Sequence, residues 1–295
     1  MNKKAVIFGE MLWDCFPNKN LPGGAPMNVA LHIQHLGIET TFISKTGHDQ
    51  LGADLLSFVT KNGLDGTFIQ KDNAHETSRV VVDNSDKENI KYEIVQPVAW
   101  DFMKWNTAIQ EKVDEADVFV FGSLAARSEQ SRNTLFRLLE TNTLKVLDIN
   151  IRAPHYTTGL LQQLLNKAEV LKINDDELEI LTETFGLPKG EKASIEQLTK
   201  TFDLKMVCIT KGAYGAMIFD GHGMHYHAGY KVTVEDTVGS GDAFLSGFIY
   251  QFLQGKQPAE ILDFACALGA LVATQKGGTP RYETEQIQAI QNRNR

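Results

Sequence analysis

Short apolar runs that end in polar residues, with helix-like patterns between them, most strongly limit the folds open to this chain. Such runs cover residues 118–121, 145–149 and 170–173. Runs this short and apolar are typical of strands buried on both faces of a sheet, and the intervening helices make the strand connections parallel. The pattern predicts an α/β fold whose ligand sites lie at the carboxyl ends of the strands.

Bulk properties narrow the classes of function. A net charge of −8 argues against a nucleic-acid-binding protein, which would present a basic surface. No apolar stretch approaches the length of a membrane span, and the run at residues 5–8 is too short for a signal peptide. Three widely separated cysteines predict free thiols in a reducing compartment. We therefore expect a cytoplasmic protein that binds neither nucleic acid nor membrane.

Residues 236–244 read Asp-Thr-Val-Gly-Ser-Gly-Asp-Ala-Phe and lead into an apolar-periodic helix. The Gly239-Ser240-Gly241 turn opens that helix, where backbone N–H groups lack partners and the helix dipole is positive. Glycines also let an anion approach the backbone closely. Asp242 adds a carboxylate at the mouth of the turn. A phosphate site beside a base predicts phosphoryl transfer to a hydroxyl, and a tight loop with an aspartate cap is the simpler alternative.

A glycine pair, Gly23-Gly24, precedes a helix that runs to about residue 36. The pair allows close backbone approach to a ligand, and Asn28 lies in the first turns of the helix. Asp14 lies just past the end of the first strand, where α/β sheets place ligand contacts. The alternatives are a turn role for Asp14 and a local backbone bond for Asn28.

Two further motifs follow strands. Asn174 and Glu177 share one face at the start of a helix, and an amide with a carboxylate suits Mg²⁺ held through its waters. An N-cap with a capping-box acid is the alternative reading of the pair. Thr210, Gly212 and Gly215 belong to a tight turn, which a hairpin alone would also explain.

The 236–244 stretch resembles the second signature of the phosphofructokinase-B (PfkB), or ribokinase-like, carbohydrate kinase family, which reads Asp-Thr-x-Gly-Ala/Ser-Gly-Asp-Ala-Phe. The resemblance implies that Asp242 is the general base. It also implies an anion hole for the transferring phosphoryl group, formed by Gly239, Ser240 and Gly241. An ordinary aspartate is ionised at neutral pH, so the base needs no large pKa shift.

The segment around the glycine pair resembles the family's first signature, in the Gly-Gly-Ala-Pro-x-Asn-Val-Ala form of fructokinase-like members. The resemblance implies a set of sugar-binding residues: Asp14, Gly23, Gly24 and Asn28. Arg152 is the cation best placed for a sugar oxygen or a phosphate, with a surface ion pair as the alternative. The first signature favours fructose over ribose, 2-keto-3-deoxygluconate or a nucleoside.

The resemblance also assigns the cofactor contacts. Asn174 and Glu177 match the family's Asn-x-x-Glu motif, which implies Mg²⁺ held through water beside the phosphates of ATP. The Thr-x-Gly-x-x-Gly turn matches the family's nucleotide loop, which implies ATP contacts from Thr210, Gly212 and Gly215.

Potassium is a further expectation. Groups near the positions of Asp236, Val238, Val272 and Gly277 hold a monovalent cation in potassium-dependent members of the family. Arg281 stands where ribokinases commonly have a small hydroxyl residue, and an arginine there would crowd or replace the ion.

The resemblance runs from about residue 5 to about 282 and implies one ribokinase-like kinase domain over residues 1–295. The implied fold is a three-layer α/β/α sandwich with a central, mostly parallel sheet. A small β-sheet lid would form within about 11–22 and 74–100. Because open sheet edges need cover, the lid predicts a homodimer.

The sequence therefore predicts an ATP-dependent sugar kinase, with fructose as the favoured acceptor. An NAD-dependent oxidoreductase would share the α/β pattern, but the chain has no Gly-x-Gly-x-x-Gly after a strand with an acid about twenty residues later. A non-catalytic sugar sensor has no use for a base, so Asp242 argues against that alternative.

Overall fold

The strands of the computed structural model, which describes residues 3–16, 19–83 and 91–292, form a nine-stranded sheet and a separate four-stranded sheet. The strands are β1 Lys4–Phe8, β2 Leu12–Phe16, β3 Lys19–Gly23, β4 Glu39–Gly47, β5 Ile69–Asp72, β6 Arg79–Asp83, β7 Lys91–Ile94, β8 Val118–Gly122, β9 Leu144–Asp148, β10 Val170–Asn174, β11 Met206–Thr210, β12 Ala216–Phe219 and β13 Met224–His227.

Helices connect most of the strands of the large sheet. The α-helices are α1 Ala25–His35, α2 Gln50–Lys61, α3 Thr107–Asp114, α4 Glu129–Leu138, α5 Thr158–Leu165, α6 Asp175–Phe185, α7 Glu191–Phe202, α8 Ser240–Leu253, α9 Pro258–Ala273 and α10 Thr284–Asn292. Single 3-10 turns lie at Ala99–Phe102, Leu124–Ala126 and Gly212–Tyr214.

The large sheet has the order β13-β12-β11-β10-β9-β8-β1-β4-β5. From β11 to β5 every neighbouring pair is parallel, and only β12 runs against its neighbours within the described residues. The predicted mostly parallel sheet is confirmed. The carboxyl ends of its parallel strands meet along one edge, where the predicted site residues lie.

Side chains of β8 show how the sheet forms the middle of three layers. Val118 and Val120 pack with helices α1, α2, α8 and α9, whereas Phe119 and Phe121 pack with helices α3 to α7. Alternate residues of a strand point to opposite faces, so an apolar strand of this kind is covered by helices on both sides. The predicted α/β/α sandwich is confirmed.

The small sheet has the order β3-β2-β6-β7 and uses strands from both segments that were predicted to form a lid. β2 and β6 are parallel, and the outer pairs are antiparallel. The Trp13 Nε1–H group donates to the carbonyl oxygen of Leu51 (3.0 Å), which attaches β2 to helix α2. Residues 83–89 read Asp-Asn-Ser-Asp-Lys-Glu-Asn, which is typical of a polar turn, and they lie mostly outside the described residues.

The structure bears on the predictions about the cysteines and about membrane-spanning segments. Cys15, Cys208 and Cys266 are unpaired, as their spacing predicted. Within the described ranges, no helix combines the length and the apolarity that a bilayer crossing requires.

We expect Phe119→Ala to lower the free energy of unfolding by roughly 3–5 kcal/mol, because it removes a fully buried ring and leaves a cavity between sheet and helices. Tyr214→Ala, at a side chain that is 84% exposed, should change it by less than about 0.5 kcal/mol. Denaturant titration of both variants measures the difference. Equal losses would contradict the assignment of Phe119 to the core.

Candidate active site

A single hydrogen bond joins the two glycine motifs. Helix α1 begins after Gly24, and helix α8 begins after Gly239. From the first turn of α1, Asn28 Nδ2–H donates to Oδ2 of Asp242 in the first turn of α8 (2.8 Å). The predicted sugar-binding amide and the predicted base therefore touch, although 214 positions separate them in the sequence.

Asp242 is half-buried, and its surroundings change its acidity. Burial raises the pKa of Asp242 to about 6, and the nearby carboxylate of Asp148 adds to the rise. The bond from Asn28 and the charges of Lys172 and Arg152 oppose it. The shift is larger than the sequence suggested for an ordinary aspartate. The carboxylate is still mostly ionised at neutral pH and can accept a proton.

The predicted anion hole is a tight turn held against a second glycine pair. Gly239 adopts a left-handed φ of 75°, and a Cβ there would lie 2.4 Å from the carbonyl oxygen of Gly278. The Ser240 amide donates to the carbonyl oxygen of Thr237 (3.2 Å). The amides of Gly241 and Asp242 have no acceptor among the residues that the structure describes. Two free N–H groups thus stand at the positive end of α8.

A cavity connects this helix end with the glycine turn after β11. Its volume is about 390 Å³. The turn contributes Thr210, Gly212 and Gly215, and the start of α8 contributes Ser240 and Gly241. Small residues of α9 complete the wall: Gly269, Ala270 and Ala273. The two predicted phosphate-side motifs therefore open into one cavity, next to Asp242.

The predicted sugar-side glycines pack against β2 and the segment after β1. Asp14 is half-buried on β2, and burial raises its pKa to about 6. A Cβ at Gly23 would lie 2.4 Å from Oδ2 of Asp14, and one at Gly24 would lie 2.6 Å from the carbonyl oxygen of Glu10. Only glycine fits this close packing of the turn against β2 and the segment after β1.

Arg152 is exposed, and its Nη1 donates to the carbonyl oxygen of Ile151 (3.0 Å). Its charge lowers the pKa of Asp242, so it lies within electrostatic range of the base. The structure gives it no bond to Asp14 or Asn28.

Asn174 and Glu177 form a complete capping box at the start of α6. Asn174 Oδ1 accepts from the Glu177 amide (2.7 Å), and Glu177 Oε2 accepts from the Asn174 amide (2.9 Å). The Ile151 amide donates to Glu177 Oε1 (2.8 Å). The capping alternative is therefore present. Each oxygen keeps a free lone pair, so metal binding through water stays a prediction.

Asp236 joins two segments that were predicted to surround a monovalent cation. Its Oδ1 accepts from the Val238 amide (3.0 Å), and its Oδ2 accepts from the Gly277 amide (3.1 Å). Arg281 is exposed. Within the described residues, no cluster of three or more His, Cys, Asp or Glu side chains is arranged to hold a metal ion directly.

Sequence reasoning missed a buried ion pair beside the base. Lys172 of β10 lies 3.0 Å (Nζ to Oδ1) from Asp148, its neighbour on β9, and both side chains are buried. Burial lowers the pKa of Lys172, but the nearby carboxylates outweigh this effect and raise it overall. Lys172 Nζ would be 3.7 Å from a Cβ at Gly241, so its charge faces the helix start. The sequence signal for this pair was Lys172, a lysine within an otherwise apolar strand.

We expect Gly239→Ala to destabilise the protein more than Gly255→Ala. Both glycines have a left-handed φ, 75° and 72°, which costs an alanine roughly 1–2 kcal/mol. Only Gly239 is crowded, whereas nothing lies within 4 Å of a Cβ at Gly255. Thermal and denaturant unfolding of the two variants provide the comparison. A smaller loss for Gly239→Ala would contradict the tight contact with Gly278.

Known proteins resemble this chain along nearly its whole length. Fructokinase of Escherichia coli is 29% identical over 94% of this chain and 95% of its own length. A fructokinase of Xylella fastidiosa, crystallised with bound ATP, superposes with a TM-score of 0.85 at 21% identity, covering 98% of both chains.

A second solved structure is a fructokinase double mutant of Vibrio cholerae O395 with fructose, ADP and a potassium ion bound. It has a TM-score of 0.84 at 24% identity and covers 98% of both chains. At identities this low, the TM-scores establish that the folds are alike. Residues 3–285 match the description "pfkB family carbohydrate kinase", so the chain belongs to the PfkB family of carbohydrate kinases.

Proposed function

We propose that this carbohydrate kinase transfers the γ-phosphoryl group of ATP to a primary hydroxyl of fructose. The observation that carries the proposal is the bond between Asn28 and Asp242. It puts the base in contact with the predicted sugar-binding helix. The neighbouring Gly241 lines the cavity shared with the glycine turn. These two contacts support the proposal that Asp242 acts between a sugar and a triphosphate.

The proposed mechanism follows from the charges around the base. Asp242 accepts the proton of the attacking hydroxyl as the hydroxyl oxygen bonds to the γ-phosphorus, and the bond from that phosphorus to the bridging oxygen breaks to release ADP. The free amides of Gly241 and Asp242 stabilise the charge on the transferring phosphoryl oxygens, where fixed donors are most effective. Lys172 adds a buried positive charge near the same helix start.

Mg²⁺ fits the site only through water. The oxygens of Asn174 and Glu177 are held by backbone amides, which leaves them oriented and able to accept from the waters of a hexahydrated or partly hydrated ion. A bound Mg²⁺ would neutralise charge on the phosphates of ATP. We propose that K⁺ binds near Asp236, where its carboxylate accepts from the Gly277 amide, because the related Vibrio enzyme binds this ion.

Fructose as the acceptor rests on two observations. The Gly-Gly-Ala-Pro-x-Asn form around Gly23 and Asn28 is the fructokinase-like variant of the first signature. The Escherichia coli relative carries the name fructokinase, and the Vibrio structure contains fructose. Ribose, 2-keto-3-deoxygluconate and a nucleoside are the alternative acceptors within the family.

A homodimer through the small sheet and a cytoplasmic location are further proposals. In support of the dimer, β3 and β7 are the outer strands of the small sheet, and Val81 on β6 is an exposed apolar side chain (46%). Open edges beside apolar surface favour pairing with another sheet.

We expect Asp242→Asn to reduce kcat by roughly 10²- to 10⁴-fold with little change in the KM of either substrate, because the amide cannot accept the proton. The wild-type rate should fall as the pH drops through about 6, since protonation of Asp242 removes the base. The variant should show no such fall. Asp117→Asn, at the opposite edge of the sheet, is the matched control. Wild-type turnover in Asp242→Asn would exclude this residue as the base.

A panel of acceptors tests the sugar. With ATP, we expect fructose to give the highest kcat/KM, ahead of ribose, 2-keto-3-deoxygluconate and nucleosides, measured as ADP release. Each assay is run with and without K⁺, and faster turnover with K⁺ would support the site at Asp236. A higher kcat/KM for another acceptor would overturn fructose, and ADP release with none of them would contradict catalysis.

A further inference from the structure

Glu10 carries a buried carboxyl oxygen that has no partner. The residue follows β1 and is only 3% exposed, and its Oε2 makes no hydrogen bond within the described residues. Asn28 Oδ1 is also buried and makes no hydrogen bond within the described residues. Among the carboxylate and side-chain amide oxygens that the structure describes, these two are the buried atoms without a donor.

Contacts connect both unpaired acceptors to the surroundings of Asp242. Asn28 contacts Asp242 directly through its other side-chain atom, so its Oδ1 points away from that bond. Glu10 lines a small cavity together with Asp148, whose partner Lys172 faces the start of α8. The charge of Asp242 also raises the pKa of Glu10. Gly24 packs directly on the carbonyl oxygen of Glu10, so Glu10 lies beneath the predicted sugar-binding turn.

The two unpaired oxygens, Glu10 Oε2 and Asn28 Oδ1, indicate the chemistry of the ligand that would bind them. A buried acceptor without a donor costs roughly 1–3 kcal/mol, so such atoms in a cleft indicate a ligand that supplies donors. Two such acceptors would be satisfied by two hydroxyl groups on one small molecule, which is the description of a polyol. The competing partner is one buried water. A cavity of about 10 Å³ lined by Glu10, Ser123, Asp148 and Asn150 is just large enough to hold it.

We propose that Glu10 binds the sugar and helps to set specificity: its Oε2 accepts a hydrogen bond from a hydroxyl other than the one that is phosphorylated. Asn28 Oδ1 accepts from a second hydroxyl. This inference rests on the proposed function, because it assigns Glu10 to the same sugar site.

The charges around Glu10 predict that the affinity for the sugar depends on pH, which provides a second measurement. Burial raises its pKa to about 7, while Arg152 and Arg127 oppose the rise and Asp242 increases it. Residues Gly24 to Pro26, which lie beside it, carry no charged side chain, and Asp148 lines the same small cavity. A hydroxyl donor stabilises the ionised carboxylate, so the bound sugar lowers this pKa and releases a proton. The affinity for sugar should therefore increase as the pH rises from 6 to 8.

The test compares wild-type protein with Glu10→Gln. We expect the KM for fructose to rise roughly 10- to 100-fold, the loss of one charged hydrogen bond, with the KM for ATP within about twofold. The rise in fructose affinity between pH 7 and 8, measured by calorimetry with ADP present, should disappear in the variant, because Asp14 and Asp242 are already mostly ionised in that range. Glu169→Gln, a partly buried glutamate at the amino edge of the sheet, should leave all these values unchanged.

Monodeoxy fructose analogues identify the hydroxyl. One analogue should lose affinity for the wild-type protein yet bind Glu10→Gln no more weakly than fructose does, because the deleted partners are the same pair. If Glu10→Gln does not fold, Glu10→Asp keeps the charge, withdraws it by one methylene, and should show the same selective rise in the fructose KM.

Two results would overturn the inference. One is an unchanged fructose KM in a folded Glu10 variant, which leaves water as the partner. The other is an equal loss with every deoxy analogue in both proteins. Failure of the proposed function looks different, because the wild-type protein would then phosphorylate no sugar of the panel.

Discussion

The bond from Asn28 to Asp242 is the contact on which the rest of the site depends. It fixes helix α1 against helix α8 at their first turns, where each helix presents a glycine turn to the cleft. Gly24 packs on the carbonyl oxygen of Glu10, and Gly239 packs on Gly278, which in turn lies against the Asn28 side chain. Without the bond, Asp242 would not contact the helix that we propose for sugar binding.

Much of the fold follows from local sequence. The apolar strands at 118–121 and 170–173 are covered on both faces, as uninterrupted apolar runs require. The two glycine motifs predicted helix starts, and α1 and α8 begin there. Such features depend on residues that are neighbours in the chain, so a pattern in the sequence is sufficient to find them.

Features that depend on strand order could not be predicted from the sequence. Lys172 pairs with Asp148 because β9 and β10 are adjacent, and neither residue marks the other in the sequence. The raised pKa of Asp242 has the same origin, since it reflects burial between elements that are distant in the chain. The capping box at Asn174 shows a different limit, because the observed cap and the predicted metal contact involve the same pair of side chains.

The contact between Gly239 and Gly278 has a consequence for how the two loops move. Their backbones are packed without side chains between them, and Asp236 bonds to the amide of Gly277 beside that contact. Neither loop can move toward the other without displacing it. An event that reshapes the segment around residue 277 is therefore transmitted mechanically to the start of α8, with no side-chain relay required.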